Sequence, residues 1–204
     1  MSKLSKILII LILLTFLLFG RALINNKDFY QGDIAVPIQL DIQDENTIKH
    51  NGKEGEVQLL ARAEYELLGI VKSKKKYSDF PSQISEYDLA IAWGDLNKKE
   101  IDSFIKYSQS GRWYHYRYES GLAVSQDYIS KNSANIHIIH KNKEVLKEVK
   151  KINEGDYIKL KGVLVDVDFN NANYSSLWKT SRTRNDTGNG ACEILYLEEV
   201  TIIE

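Results

Sequence analysis

Gly155-Asp156-Tyr157-Ile158-Lys159-Leu160-Lys161-Gly162-Val163-Leu164-Val165 is a turn dipeptide followed by the most regular alternation in the chain. Ile158, Leu160, Gly162 and Leu164 fall on one side, and Lys159, Lys161, Val163 and Val165 on the other. Successive side chains of a strand point to opposite faces, so this period of two predicts a strand from Tyr157 to Val167. Upstream, Val145, Leu146, Val149 and Ile152 recur at helical spacing after Asn142, which predicts a capped helix ending near Ile152. Asn135 to His140 reads as a strand, with Asn135, His137 and Ile139 facing opposite to Ile136 and Ile138. Downstream, Cys192 to Leu197 closes the pattern with another strand, open to continuation through Val200 to Ile203.

Farther out the same reading holds. Arg62 to Ser73 alternates as a long strand with Gly69 at a bend or bulge, and Asp88 to Trp93 is a short apolar strand stopped by Gly94-Asp95. Ile101, Phe104 and Ile105 lie at helical spacing, predicting a helix from about Lys98 to Ser108 capped by Asn97. Arg112 to Tyr118 alternates strictly, with Trp113, His115 and Arg117 on one face and Tyr114, Tyr116 and Tyr118 on the other. Residues 175 to 190 read as a polar loop around Trp178. Six strands and two helices without a βαβ repeat predict an α+β fold, mainly an antiparallel small β-barrel with two or three helices. The stretch Glu154 to Val165 resembles a strand of oligonucleotide/oligosaccharide-binding (OB-like) barrels, in which a turn Gly-Asp leads into alternation and a glycine permits sharp curvature.

The N-terminus predicts the compartment. Lys3 and Lys6 precede an apolar run from Ile7 to Phe19, interrupted only by Thr15, and such a segment reads as an export signal. As a helix the run spans about 20 Å, short of the roughly 30 Å hydrocarbon core, and Gly20 and Ala22 stand at the small-residue spacing of a cleavage site. Arg21 between them opposes cleavage, and Gly20 to Ile24 would lengthen the run into a signal-anchor helix. The expectation is a domain held outside the cytoplasm by one N-terminal membrane helix; the alternative is a secreted or periplasmic protein cleaved near Ala22. The predicted organisation is an N-terminal hydrophobic helix over 1–24, a linker and irregular lead-in over 25–55, and one β-rich domain over 56–204.

Composition narrows the partners. Three of the 27 basic residues (Lys3, Lys6, Arg21) lie in the leader, leaving 24 against 28 acidic residues and a net charge of −4. That disfavours nucleic acid, which demands a strongly basic face. Cys192 is the only cysteine, so no internal disulfide forms, and with four scattered histidines the sequence has no paired metal-ligand spacing. No metal or other cofactor is expected.

The densest polar cluster runs from Trp178 through Arg182, Arg184, Asp186 and Gly190 to Glu193. Guanidinium groups two residues apart with glycine-freed backbone amides would suit an anionic or sugar-like ligand, whereas a bland reading makes it a long connection with internally paired arginines. The candidate ligand-binding residues are Trp178, Arg182, Arg184, Asp186, Glu193, Arg112 and His137. Trp93, Trp113 and Trp178 would form either a stacking platform or core. Cys192 raises the idea of a nucleophile activated by His137 or His115, but at the head of an apolar strand a cysteine is more often a small buried hydrophobe. Asp166 and Asp168 read as a solvated strand end.

The loop, together with Tyr87-Asp88 to Trp93-Gly94, Arg112-Trp113-Tyr114, His137-Ile138-Ile139 and Gly155-Asp156, resembles an uncharacterised family of exported or membrane-anchored bacterial proteins across about Tyr65 to Glu193. The resemblance implies one domain and the compartment, and no reaction. The leading expectation is a membrane-tethered, non-catalytic ligand- or protein-partner-binding domain. The alternative is a hydrolase or nuclease using the Arg182 to Glu193 loop with His137.

Overall fold

The computed structural model describes residues 35–44, 46–169, 176–186, 188 and 190–203. The expected signal-anchor helix over 1–24 lies outside them. Among the described residues no helix is long and apolar enough to cross a membrane.

The fold is α+β and mostly sheet. Its spine is β3 (Gly55–Lys76), whose residues Val57, Leu59, Ala61, Ala63, Tyr65 and Leu67 are buried in strict alternation. β3 is long enough to pair along Ile70 to Lys76 with β4 (Tyr87–Ala92) and along Gln58 to Ile70 with β8 (Tyr157–Asp168), both antiparallel. β4 pairs antiparallel with β7 (Ser133–His140), and β7 pairs in parallel with β10 (Glu193–Ile203). β10 then pairs antiparallel with β8, with a bulge between Leu197 and Glu199. Most of the sheet is thus antiparallel as expected, with one parallel pair.

Other elements cover this sheet. β5 (Ile105–Ser110) and β6 (Trp113–Tyr118) form a separate hairpin. Among the described residues there are three α-helices: α1 (Lys99–Asp102), α2 (Gln126–Lys131) and α3 (Lys143–Lys151). α3 is capped by the Asn142 side chain, which accepts from Val145 N at 2.9 Å. Its last turn is closed by Lys74, whose Nζ donates to the carbonyls of Val149 (2.7 Å) and Ile152 (2.8 Å). Leu67, Ile91, Ile136, Ile158, Leu160, Leu164 and Leu195 belong to the main core, and Leu96, Ile101, Ile105 and Ile129 to a smaller one beneath the hairpin.

Three sequence expectations are corrected. The helix over Lys98 to Ser108 shrinks to α1, because Ile105, Tyr107 and Gln109 pair with β6, whose own alternation is strong enough to extend its neighbour. Asn97 does not cap it; its Nδ2 donates to Ala92 O at 2.9 Å. The lead-in over 25–55 contains β1 (Ile38–Asp41) and β2 (Thr47–Gly52), both paired to β3. Their hydrophobic signal is weak because they are edge strands, ordered by backbone bonds to β3 while Ile38 and Leu40 stay exposed. α2, initiated by Ser125 accepting from Tyr128 N at 3.1 Å, and the two-residue β9 (Leu177–Trp178) had not been expected.

Gly162 lies where β8 passes β3 and β10, opposite Tyr65 and Leu197. A Cβ there would strike the Tyr196 carbonyl, which is backbone and cannot swing aside. Gly162→Ala is therefore expected to lower stability by about 1–3 kcal/mol or more, the range of overpacking, read as a fall in the thermal midpoint.

Candidate functional site

Three neighbouring strands bring the polar groups together. Asp88 on β4 and His137 on β7 are direct cross-strand partners. The parallel register of β10 on β7, Glu193 opposite Ile136, carries Cys192 alongside Asn135, two residues before His137. Asp88 and His137 are fully buried, while Cys192 is half-buried.

His137 Nδ1 lies 3.0 Å from Asp88 Oδ1, in ion-pair range though angled off a good hydrogen bond. His137 and Cys192 both line one cavity beside this pair. Burial alone would depress the imidazolium, but pairing with Asp88 and contact with Cys192 outweigh it and raise the pKa to about 9. Asn135 Nδ2 points at Cys192 Sγ from 3.7 Å and donates to Arg112 O at 3.0 Å. Gln109 Nε2 donates to Asn135 Oδ1 at 2.6 Å, which fixes the amide with its NH₂ toward the sulfur.

Arg112 closes the constellation from above. Gly111 and Arg112 both have positive φ, 56° and 70°, the pair a two-residue type I′ hairpin turn requires. Arg112 is the only non-glycine residue with positive φ among the described residues. Its guanidinium donates from Nη1 to Asp88 Oδ1 at 2.8 Å, from Nε to Asp79 Oδ2 at 2.8 Å and from Nη2 to Ser85 O at 2.9 Å. It also stacks on Tyr77, 4.3 Å from the ring centroid. The Asp79 carboxyl is held below the usual range, chiefly by this hydrogen bonding.

Above these residues is a cavity of about 280 Å³, lined by His137, Cys192, Arg112 and the rings of Phe80, Trp113, Phe169 and Trp178. Trp178 packs on the His137 ring at 4.6 Å between centroids, and Phe169 stacks on Trp178 at 6.4 Å. A second cavity, about 170 Å³, lies on the other side of Cys192 against Tyr114, Tyr116, Arg184 and Asp186.

The seven residues expected to contact ligand divide. Trp178, His137 and Arg112 line the larger cavity, but Arg112 has its donors directed to Asp79, Asp88 and Ser85. Arg184 pairs with the buried Glu193 and sits over Trp93, so these two charges neutralise each other. Asp186 accepts from Ser181 Oγ at 2.7 Å, and the Arg182 side chain is exposed while its carbonyl accepts from Gln39. Of the loop's two arginines, Arg184 is thus paired with an acid, while the Arg182 side chain is exposed.

Further expectations change. Cys192 is not a buried hydrophobe; it borders both cavities. Asp166 is no solvated strand end: it is buried, with Arg62 Nε at 2.8 Å and Thr180 N at 2.9 Å. The tryptophans form no single platform, since Trp93 is core and Trp113 is exposed. Among the described residues no group of three or more His, Cys, Asp or Glu side chains is placed to hold a metal ion. Asp88 and Asn135 were not among the sequence candidates; an acid inside the apolar run of β4 is the signal that marks the first.

No protein-family model matches the chain, and neither a curated protein nor a solved structure matches it.

Two outcomes test the geometry. Arg112→Gly relieves roughly 1–2 kcal/mol of left-handed strain, but taking one charged partner from the buried Asp88 together with the bonds to Asp79 and Ser85 costs about 3–5 kcal/mol, so denaturant unfolding should show a net loss. His137, raised from 6.5 to about 9, contributes stability that is complete below pH 6.5 and lost as pH rises through 9. The thermal midpoint of the wild type should therefore fall across that window more steeply than that of His137→Gln.

Proposed function

We propose that the domain is an OB-like barrel held outside the cytoplasm, which binds a small sugar-like ligand in the larger cavity. What supports the barrel is the pairing circuit β3–β4–β7–β10–β8 and back to β3, with β7–β10 parallel and α3 between β7 and β8. The export-like N-terminal segment supports the compartment.

The observation that carries the binding reading is the position of the cavity. It opens on the third strand of the circuit, β7, at His137, where the connection after β3 (Phe80, Pro81) meets the connection after β8 (Phe169, Trp178, Lys179). OB barrels take their ligands at that strand face and between the corresponding loops. Four aromatic rings offer flat apolar walls for a sugar face, and His137 offers polar contact at the floor. The net charge of −4 argues against nucleic acid, and the internally paired Arg112 and Arg184 argue against a strongly anionic ligand. In the hydrolase or nuclease reading built on the Arg182 to Glu193 loop with His137, Arg184 and Glu193 are spent on each other, Asp186 accepts from Ser181, and Arg182 is exposed outside the lining of the larger cavity.

Intrinsic tryptophan fluorescence of the full chain, titrated with N-acetylglucosamine oligomers, should show a saturable change that Trp178→Ala abolishes. No saturable change in the wild type would overturn the sugar reading.

A further inference from the structure

We propose that Cys192 is a nucleophile that cleaves a carboxylic ester on the ligand, with His137 as its general base and Asp88 as the group that orients His137. This rests on the larger cavity being the ligand site, and deepens that reading into a reaction.

Asp88 on β4 lies directly opposite His137 on β7, and Cys192, just before β10, lies alongside Asn135, two residues from His137 on the same face of β7, so the order across the strands is carboxylate, imidazole, thiol. A nucleophile within reach of a base, with the base held by a third group, is the signature of covalent catalysis. Two further observations set it apart from an isolated cysteine. Asp88 Oδ2 is a buried side-chain atom without a hydrogen-bond partner, on a residue with no exposure, and the almost fully buried His137 ring lines the same cavity as the sulfur. Leaving such a buried oxygen unmatched costs stability, which is the mark of a group held for chemistry. Asn135, its amide orientation fixed by Gln109, directs an N–H toward Sγ and favours negative charge there.

The supporting parts also fit. Arg112 Nη1 donates to Asp88 Oδ1 beside His137, while Trp178 covers the imidazole face. With the thiol proton already transferred to His137, Sγ adds to the ester carbonyl. The C–O bond to the alcohol then breaks, and His137 returns that proton to the departing oxygen, leaving an acyl thioester on Cys192. Water, deprotonated by His137, attacks the thioester; the carboxylic acid leaves and Sγ recovers the proton. Atoms and charges balance with water as the only co-reactant.

Because Cys192 is the only cysteine, any thiol reagent reports on it alone. The test uses the full chain in detergent with 4-nitrophenyl acetate and, separately, iodoacetamide. Expected is a stoichiometric burst of 4-nitrophenolate with an acetyl group on Cys192, absent in Cys192→Ser and slowed about 10²-fold or more in His137→Gln. Alkylation of the wild type should persist well below the free-thiol range near about 8.5, and His137→Gln should return it there. Should His137→Gln fold poorly, the wild-type alkylation profile decides alone: an ordinary free-thiol profile, or no acyl adduct, overturns the proposal. A normal burst with no saturable response to the sugar oligomers would sink the sugar reading and leave the thiol chemistry standing.

Discussion

The carboxylate of Asp88 has no solvent exposure, and a bare ion there would be too costly to keep. Its neighbours are arranged around that constraint. His137 meets it across the β4–β7 ladder, and Arg112 reaches it from the tip of a different hairpin. To deliver that guanidinium, the chain turns through a left-handed Arg112 that only a well-tied residue would hold. The same contact docks the β5–β6 hairpin, places Trp113 at the cavity rim and lets Asn135 bond to the Arg112 carbonyl. Remove the buried charge and the reason for this docking goes with it.

The connection between β8 and β10 forms the opposite wall by other means. Asp166 on β8 accepts from Arg62 and from Thr180 N, and Thr180 Oγ1 accepts from Ile194 N at 3.0 Å, so the loop is laced to three strands at its base. Ser181 and Asp186 then bond within the loop. This polar lacing explains why a stretch rich in Arg, Asp, Thr and Gly presents little free charge. To the larger cavity it presents the Trp178 ring, Leu177, Lys179 and Cys192.

Much of the sheet was legible where local pattern and burial agree. Tyr157 to Val167, Asn135 to His140 and Arg112 to Tyr118 alternate in sequence and pair as strands with nearly those bounds. The Asn142-capped helix held because cap and apolar face lie within one segment. Failures came where a neighbour decides. Ile101, Phe104 and Ile105 have helical spacing, but β6 offers a ladder to residues 105–110, and cross-strand pairing outweighs a short amphipathic repeat. β1 and β2 were illegible because an edge strand takes its order from the strand beside it.

The sequence by itself determined the β-rich α+β class, the single cysteine and a modest negative charge. These depend on composition and on periods of two or four residues, which local chemistry dictates. Only the tertiary structure decided which polar residues meet. Asp88, His137 and Cys192 are separated by 49 and 55 positions, and their contact depends on the antiparallel β4–β7 register and the parallel β7–β10 register. Register is set by how whole strands pack their apolar faces, so one residue of slip would turn each of these side chains to the other side of the sheet.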